Sequence, residues 1–231
     1  MFSVLRYIYK TVMSLFIKKS IIATTGLFLC VFLMVHLSAN ILLLFPEATA
    51  RSLYNAYSTT LRESTLIMIV AYLLYLSIVF HVIYGGIITY KNRRAKNDRY
   101  ILNHKHETSS WASQSMGVLG VLILIFMGVH LVHFWARVKL GIGEEVGTDI
   151  AGNIDVYEVA FALFHNIYYV LFYTILMIPL GFHLHHGLKS AFKTLGFYHK
   201  KGLQVLAKIA LIYAIIVSIG FGIIPIIVYF K

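Results

Sequence analysis

Four histidines stand inside four different apolar stretches of the chain: His36, His81, His130 and His183. A titratable imidazole in hydrocarbon is costly, so each marks a functional position by default. Imidazole nitrogen binds transition metals, iron among them. One imidazole from each of two facing helices can grip a haem iron from both sides. A proton relay or a structural hydrogen bond is the alternative use, and any single one of the four would be unremarkable in that role. The set gains meaning only if the helices bring its members together in pairs.

Composition decides what positions them. Hydrophobic residues make up 59% of the chain and charged residues 13%, against about 45–50% and about 25% in soluble domains. Such a chain belongs in a bilayer. About 20 mostly apolar residues cross the hydrocarbon as a helix, and stretches of that length lie near 20–44, 64–90, 112–136, 159–188 and 203–229. Residues 1–231 therefore read as one domain, an all-α membrane protein of five transmembrane helices. Residues 1–19 repeat apolar side chains at helical spacing (Phe2, Leu5, Ile8, Val12, Leu15, Phe16), with Arg6, Lys10, Lys18 and Lys19 between them. That pattern predicts an amphipathic N-terminal helix lying in the membrane interface. A cleaved signal peptide fits less well, because the apolar run after Lys19 is too long and no small-residue cleavage site follows it.

Cys30 is the only cysteine, which excludes an intrachain disulfide, an iron–sulfur site and a C-x-x-C-H haem attachment. It reads as an apolar filler of the first span. Any haem would be held by ligation alone. A zinc site is not expected either, with no H-E-x-x-H and no cysteine pair.

Loop charges give the orientation. With the amino terminus cytoplasmic, the same side receives Lys91, Arg93, Arg94, Lys96, Arg99 and Lys105, and then Lys189, Lys193, Lys200 and Lys201. The opposite loops hold Glu47, Glu63, Glu144, Glu145, Asp149, Asp155 and Glu158 against Arg51, Arg62, Arg137 and Lys139. This obeys the positive-inside rule. The formal charge of +11 therefore points to topology, anionic lipid and a docked partner, and no nucleic acid is implied.

Depth follows from orientation. His36 lies roughly 25 Å above Lys19 at about 1.5 Å per residue, and His130 comes late in a span that also starts inside. These two sit toward the outer side. His81 and His183 lie about 15 Å from Lys91 and Lys193 and sit toward the inner side. Two layers of two imidazoles predict two b-type haems stacked across the membrane. Gly85 in HVIYGG and Gly187 in HLHHG each follow an inner histidine by one turn on the same helix face. A missing side chain there lets a porphyrin approach the backbone. The outer pair has Asn40 and Phe134 at those positions. Gly26, Gly117, Gly120 and Gly128 suit close helix packing. His133, His185 and His186 lie close enough in sequence to replace a chosen ligand, while His104, His106 and His199 fall in basic loops.

Five spans with histidines in the first four, GFHLHHGLKS closing the fourth and FHVIYGG closing the second resemble the di-haem cytochrome b subunit of succinate:quinone oxidoreductases (succinate dehydrogenase or fumarate reductase), the type with one anchor polypeptide. The resemblance covers nearly the whole chain. It implies that His81 and His183 ligate an inner haem b and that His36 and His130 ligate an outer one. It implies a flavoprotein and an iron–sulfur protein docked on the basic cytoplasmic face of a bacterial inner membrane. Succinate or fumarate chemistry would take place in the flavoprotein, and this chain would pass electrons between the iron–sulfur protein and a quinone. Two stacked haems couple electron movement to the membrane potential, worth about 2.3 kcal/mol per charge per 100 mV over the full span. That suits menaquinone, to which succinate oxidation is uphill.

Around this frame, Tyr54, Tyr57, Arg62 and Glu63 near the start of the second span, with His133 and Arg137 across from them, are candidates for a quinone site; an interfacial aromatic belt is the alternative. Lys19, Lys189, Ser190 and Lys193 are candidates for haem propionates. Some fumarate reductases of the family carry a glutamate two residues before the fourth ligand, where this chain has Gly181, so a proton path through that carboxylate does not carry over. Pro179 predicts a kink one turn before His183. The rival readings are a nitrate reductase or hydrogenase cytochrome b, a histidine-relay transporter, which inverted repeats and broken helices would favour, and a structural anchor.

Overall fold

With no water in a bilayer core, each spanning segment must satisfy its own backbone polar groups, and the helix does so. The computed structural model describes residues 2–95 and 111–231. Lys96, Arg99, His104, Lys105 and His106 lie outside the described residues, as do the side chains of Phe2, Leu5, Arg6, Ile8, Lys10 and Val12. The chain is helical with no strand among the described residues, and the isolated bridge Thr148–Ile154 closes a loop. Among the described residues, five helical stretches are long and apolar enough to cross a membrane: Met13–Leu44, Thr65–Arg94, Ser113–Leu140, Ile167–Thr194 and Lys200–Tyr229.

Helix α1 runs Phe2–Ile41 and ends in a 3-10 turn, Leu42–Leu44. Residues 2–19, expected to lie flat as a separate helix, are helical but continue into the span without a break. No glycine or proline precedes Gly26, so nothing interrupts the hydrogen-bond ladder. Pro46 forces Phe45 into an extended conformation, φ −69° and ψ 164°, and a second helix follows. This is α2, Glu47–Glu63, at the acidic end of the bundle, and α3, Thr65–Ala95, returns to the basic end.

The third span is α4, Trp111–His130, continued by a π-helical turn at Leu131–Ala136 and a last α turn, Arg137–Leu140. Gly141, at φ 63°, ends it in the left-handed conformation that glycine adopts without strain. The fourth span differs from the expected 159–188. Val156–Phe164 is a separate helix, α5, and the span is α6, Ile167–Ile175, plus α7, Met177–Thr194. Asn166 is the reason: its side chain accepts the Tyr168 amide, capping α6 and separating it from α5. The interruption at Leu176 falls where Pro179 removes the donor that Ile175 would otherwise meet. Helix α8, Lys200–Tyr229, is the fifth span.

Helices α7 and α8 form the centre, and α1 packs against both. In their most apolar windows, 33% of the fourth and fifth spans is buried, but only 6% of α3 and 6% of α4. The latter two therefore lie at the periphery and reach inward through particular side chains. Met177, Leu180, Leu184, Ala214 and Val217 form the mid-bundle core. Toward the acidic end, Leu37, Leu43, Tyr157, Phe164, Tyr173, Ile224 and Val228 form another.

Candidate functional site

Each of the four histidines reaches a partner from another span. His36 on α1 faces His130 on α4, with ring centroids 5.8 Å apart and planes at 83°. His81 on α3 faces His183 on α7, with centroids 6.2 Å apart and planes at 63°. The pairs occupy different depths because α1 and α4 run toward the acidic end while α3 and α7 run away from it. Of the neighbouring histidines weighed as substitutes, His133 is engaged elsewhere, as described below.

These separations suit two axial ligands of one metal. Two metal–nitrogen bonds of about 2 Å and two ring radii of about 1 Å sum to roughly 6 Å. Among the described residues no three His, Cys, Asp or Glu side chains converge in metal-binding geometry. Each pair brings two imidazole rings together from separate spans. His130 Nδ1 and His183 Nδ1 are buried without a hydrogen-bond partner. A Cβ built on Gly85 or Gly187 would meet nothing within 4 Å, and the same holds for Gly120 and Gly128. The backbone beside the inner histidines is thus open to a flat ligand.

Aromatic rings surround the outer pair. Phe32 stacks on His36 at 5.3 Å and Phe221 lies 5.5 Å from it. Phe126 stacks on His130 at 5.7 Å, with Phe134 at 5.0 Å and Tyr173 at 6.1 Å. Phe134 occupies the position that glycine holds at the inner pair, so the outer pair is lined by ring faces instead. Asn40 donates to the His36 carbonyl at 2.8 Å, within its own helix. The inner pair is less enclosed: Thr25 Oγ1 lies 3.2 Å from His81 Nδ1, and Trp111 packs edge-on to Phe182, next to His183, at 5.4 Å.

The π-helical turn that follows His130 inserts a residue into the ladder and rotates what comes next. It sets His133 Nδ1 3.2 Å from the Tyr173 hydroxyl and its ring 4.7 Å from that of Tyr169. Tyr173 and Tyr169 carry no motif in the sequence, and only the turn brings them to His133.

The other quinone candidates are dispersed. Tyr54 packs against the core at the acidic end, and burial pushes its phenol up to about 12, so it remains a neutral donor. Tyr57 is half-buried and Glu63 exposed. Arg62 donates to Thr59 Oγ1 at 3.0 Å while its Nη1 is buried without a partner; burial lowers its pKa, against the pull of Glu63. Arg137, expected across from them, instead binds the Glu144 carboxylate at 2.9 Å and carbonyl at 3.1 Å. Of the propionate candidates, Lys19, Ser190 and Lys193 are exposed and Lys189 is half-buried, all toward the basic end. Gly181 is a close helix crossing, where a Cβ would stand 2.7 Å from Ser218 Oγ. A side chain at that position would have to displace Ser218.

Loop charges at the acidic end prove to be structural. Asn55 on α2 is fully buried and donates to Asp155 Oδ1 at 2.9 Å and Asp149 Oδ2 at 3.2 Å, while accepting the Tyr157 amide at 2.9 Å. Arg51 donates to Asp155 Oδ2 at 2.9 Å and to Glu158. Desolvation lowers the Arg51 pKa, but Asp155, Glu158 and Glu47 outweigh it and the net shift is upward. Together these side chains clamp α2 to the start of α5.

Comparison with known protein families, curated proteins and solved structures returns no match for this chain.

Proposed function

We propose that this chain is the membrane-anchor and electron-transfer subunit of a succinate:quinone oxidoreductase, holding two b haems between an iron–sulfur partner and a membrane quinone. The observation that carries the reading is the pairing of one imidazole from each of four spans into two couples at two depths, 5.8 and 6.2 Å between centroids. A haem supplies one-electron redox chemistry between its ferric and ferrous states. His81 and His183 would hold the one nearer the basic end, and His36 and His130 the other, within their sleeve of phenylalanines. The apolar walls keep water from the ligands and set the local dielectric.

The basic end, with Lys91, Arg93, Arg94, Lys189, Lys193, Lys200 and Lys201, faces the cytoplasm of a bacterium on this reading and receives the iron–sulfur protein and its flavoprotein. The quinone, menaquinone by the energetic argument, meets the chain at the acidic end, where His133 and Tyr173 offer a hydrogen-bonded polar pair in an apolar wall. Succinate oxidation or fumarate reduction, and with it the place in the tricarboxylic acid cycle and respiratory chain, belongs to the partner.

A reduced-minus-oxidised spectrum of the purified chain tests the reading: two low-spin b-type haems per polypeptide are expected, and none would overturn it. A histidine-relay transporter is the second reading, favoured by the interruption at Leu176. Against it, Leu176 N still bonds Phe172 O at 3.3 Å and Leu180 N bonds Leu176 O at 3.4 Å, so rungs on either side of the one Pro179 removes persist. Co-purification from native membranes distinguishes a succinate dehydrogenase partner from a nitrate reductase or hydrogenase.

A further inference from the structure

We infer that Thr25 and Gly26 of the first span are positioning residues for the inner haem, fixing the tautomer and the place of the His81 imidazole. The inference rests on the haem reading above and goes beyond the four ligands. A threonine hydroxyl has one proton to donate. That of Thr25 lies 2.7 Å from the Ile21 carbonyl and 3.2 Å from that of Ile22, so the backbone of its own helix takes it. The 3.2 Å contact with His81 Nδ1 then needs a proton from the ring, and His81 Nδ1–H donates to Thr25 Oγ1, with the Ile22 carbonyl a second acceptor beside the ring. A neutral imidazole protonated at Nδ1 keeps its lone pair on Nε2.

Gly26 makes the contact possible. A Cβ there would stand 3.2 Å from His81 Cε1 and 3.6 Å from Nδ1, so any side chain would push the ring away from Thr25. The partner imidazole is treated differently: His183 Nδ1 is buried with no acceptor. The two inner ligands are therefore unequal. His81 donates a hydrogen bond that raises its basicity, and His183 does not. A more basic axial imidazole favours ferric over ferrous iron.

The test uses the full chain with its haems, in three variants: Thr25→Val, Thr25→Ser and Gly26→Ala. The inner haem is identified as the one lost first in His183→Ala. Thr25→Val is expected to weaken the ferric preference of that haem about tenfold, comparable to the low end of the roughly 10–100-fold loss of metal affinity or activity that removing such supporting contacts brings. For one electron this is an upward shift of its midpoint potential of about 59 mV. Its low-spin ferric EPR signature should change, while the outer haem keeps both its potential and its signal. Thr25→Ser should restore the wild-type values. Gly26→Ala, which keeps the hydroxyl but displaces the ring, should shift the same haem in the same direction.

An unchanged inner potential in Thr25→Val, equal shifts of both haems, or failure of Thr25→Ser to restore would each overturn the assignment. If Thr25→Val does not assemble, Gly26→Ala decides, and an unshifted inner haem in that variant overturns it. Absence of haem from the wild-type chain would instead overturn the function itself, which separates the two failures.

Discussion

Replacing Asn55 by leucine should release the acidic end of the bundle. The two side chains are similar in size, so the substitution removes polar partners more than volume. Asn55 is fully buried, and it satisfies the Asp155 carboxylate at 2.9 Å and the Tyr157 amide at 2.9 Å. A hydrogen bond to a charged group contributes about 1.5–3 kcal/mol and one between neutral groups about 1 kcal/mol. Arg51 remains to hold the other Asp155 oxygen, so the ion itself is not orphaned. The loss should therefore be about 2.5–4 kcal/mol, and for a chain of this size each kcal/mol lowers Tm by about 2–4 °C. A fall of roughly 5–16 °C is expected for the detergent-solubilised protein. Exchange of the Tyr157 amide should accelerate, and protease should cut between residues 141 and 155 sooner. A Tm within about 2 °C of wild type, with unchanged amide exchange, would refute the view that this network clamps α2 to α5.

Other outcomes follow from particular contacts. His183→Ala should remove the inner haem and leave the outer one, read from the reduced-minus-oxidised spectrum; loss of the outer haem alone would show the couples to be misassigned. Gly181→Ala must displace Ser218 and should cost about 1–3 kcal/mol by overpacking, seen as a lower Tm. Tyr173→Phe removes the hydroxyl partner of His133 and should weaken reduction by a quinol analogue, read as a raised KM with both haems retained. The fourth outcome concerns pH. Desolvation raises the Asp149 pKa, but hydrogen bonds from Asn153, Asn55 and Ala151 outweigh it and hold the carboxyl below its ordinary value. A depressed carboxylate stabilises the fold above its unfolded pKa of about 3.9, and that contribution disappears as pH falls through the lower folded value. Proteolysis of the 141–155 loop should thus accelerate on acidification below about pH 4, and Asp149→Asn should flatten that response.

Composition and spacing alone gave five spans and the depth of each histidine, because a bilayer imposes both a length and an apolar surface. The helical rise then converts residue number into height, so His36 matches His130, and His81 matches His183, before any contact is known. Rotation about the helix axis is another matter. Only packing of α1, α3, α4 and α7 turns the rings toward one another, and only the π-helical turn after His130 carries His133 to Tyr173, some 40 residues on. The interruption at Leu176 was legible in Pro179, whereas the cap that divides α5 from α6 went unseen, since one asparagine in an apolar run gives little signal. Most hidden were contacts across long stretches of chain. Asn55 meets Asp155 about 100 residues away, Gly181 meets Ser218, and Thr25 meets His81 some 56 residues on. Such partners are set by which helix faces touch, and a helix pattern constrains which side of itself is apolar without specifying the side chain it will meet.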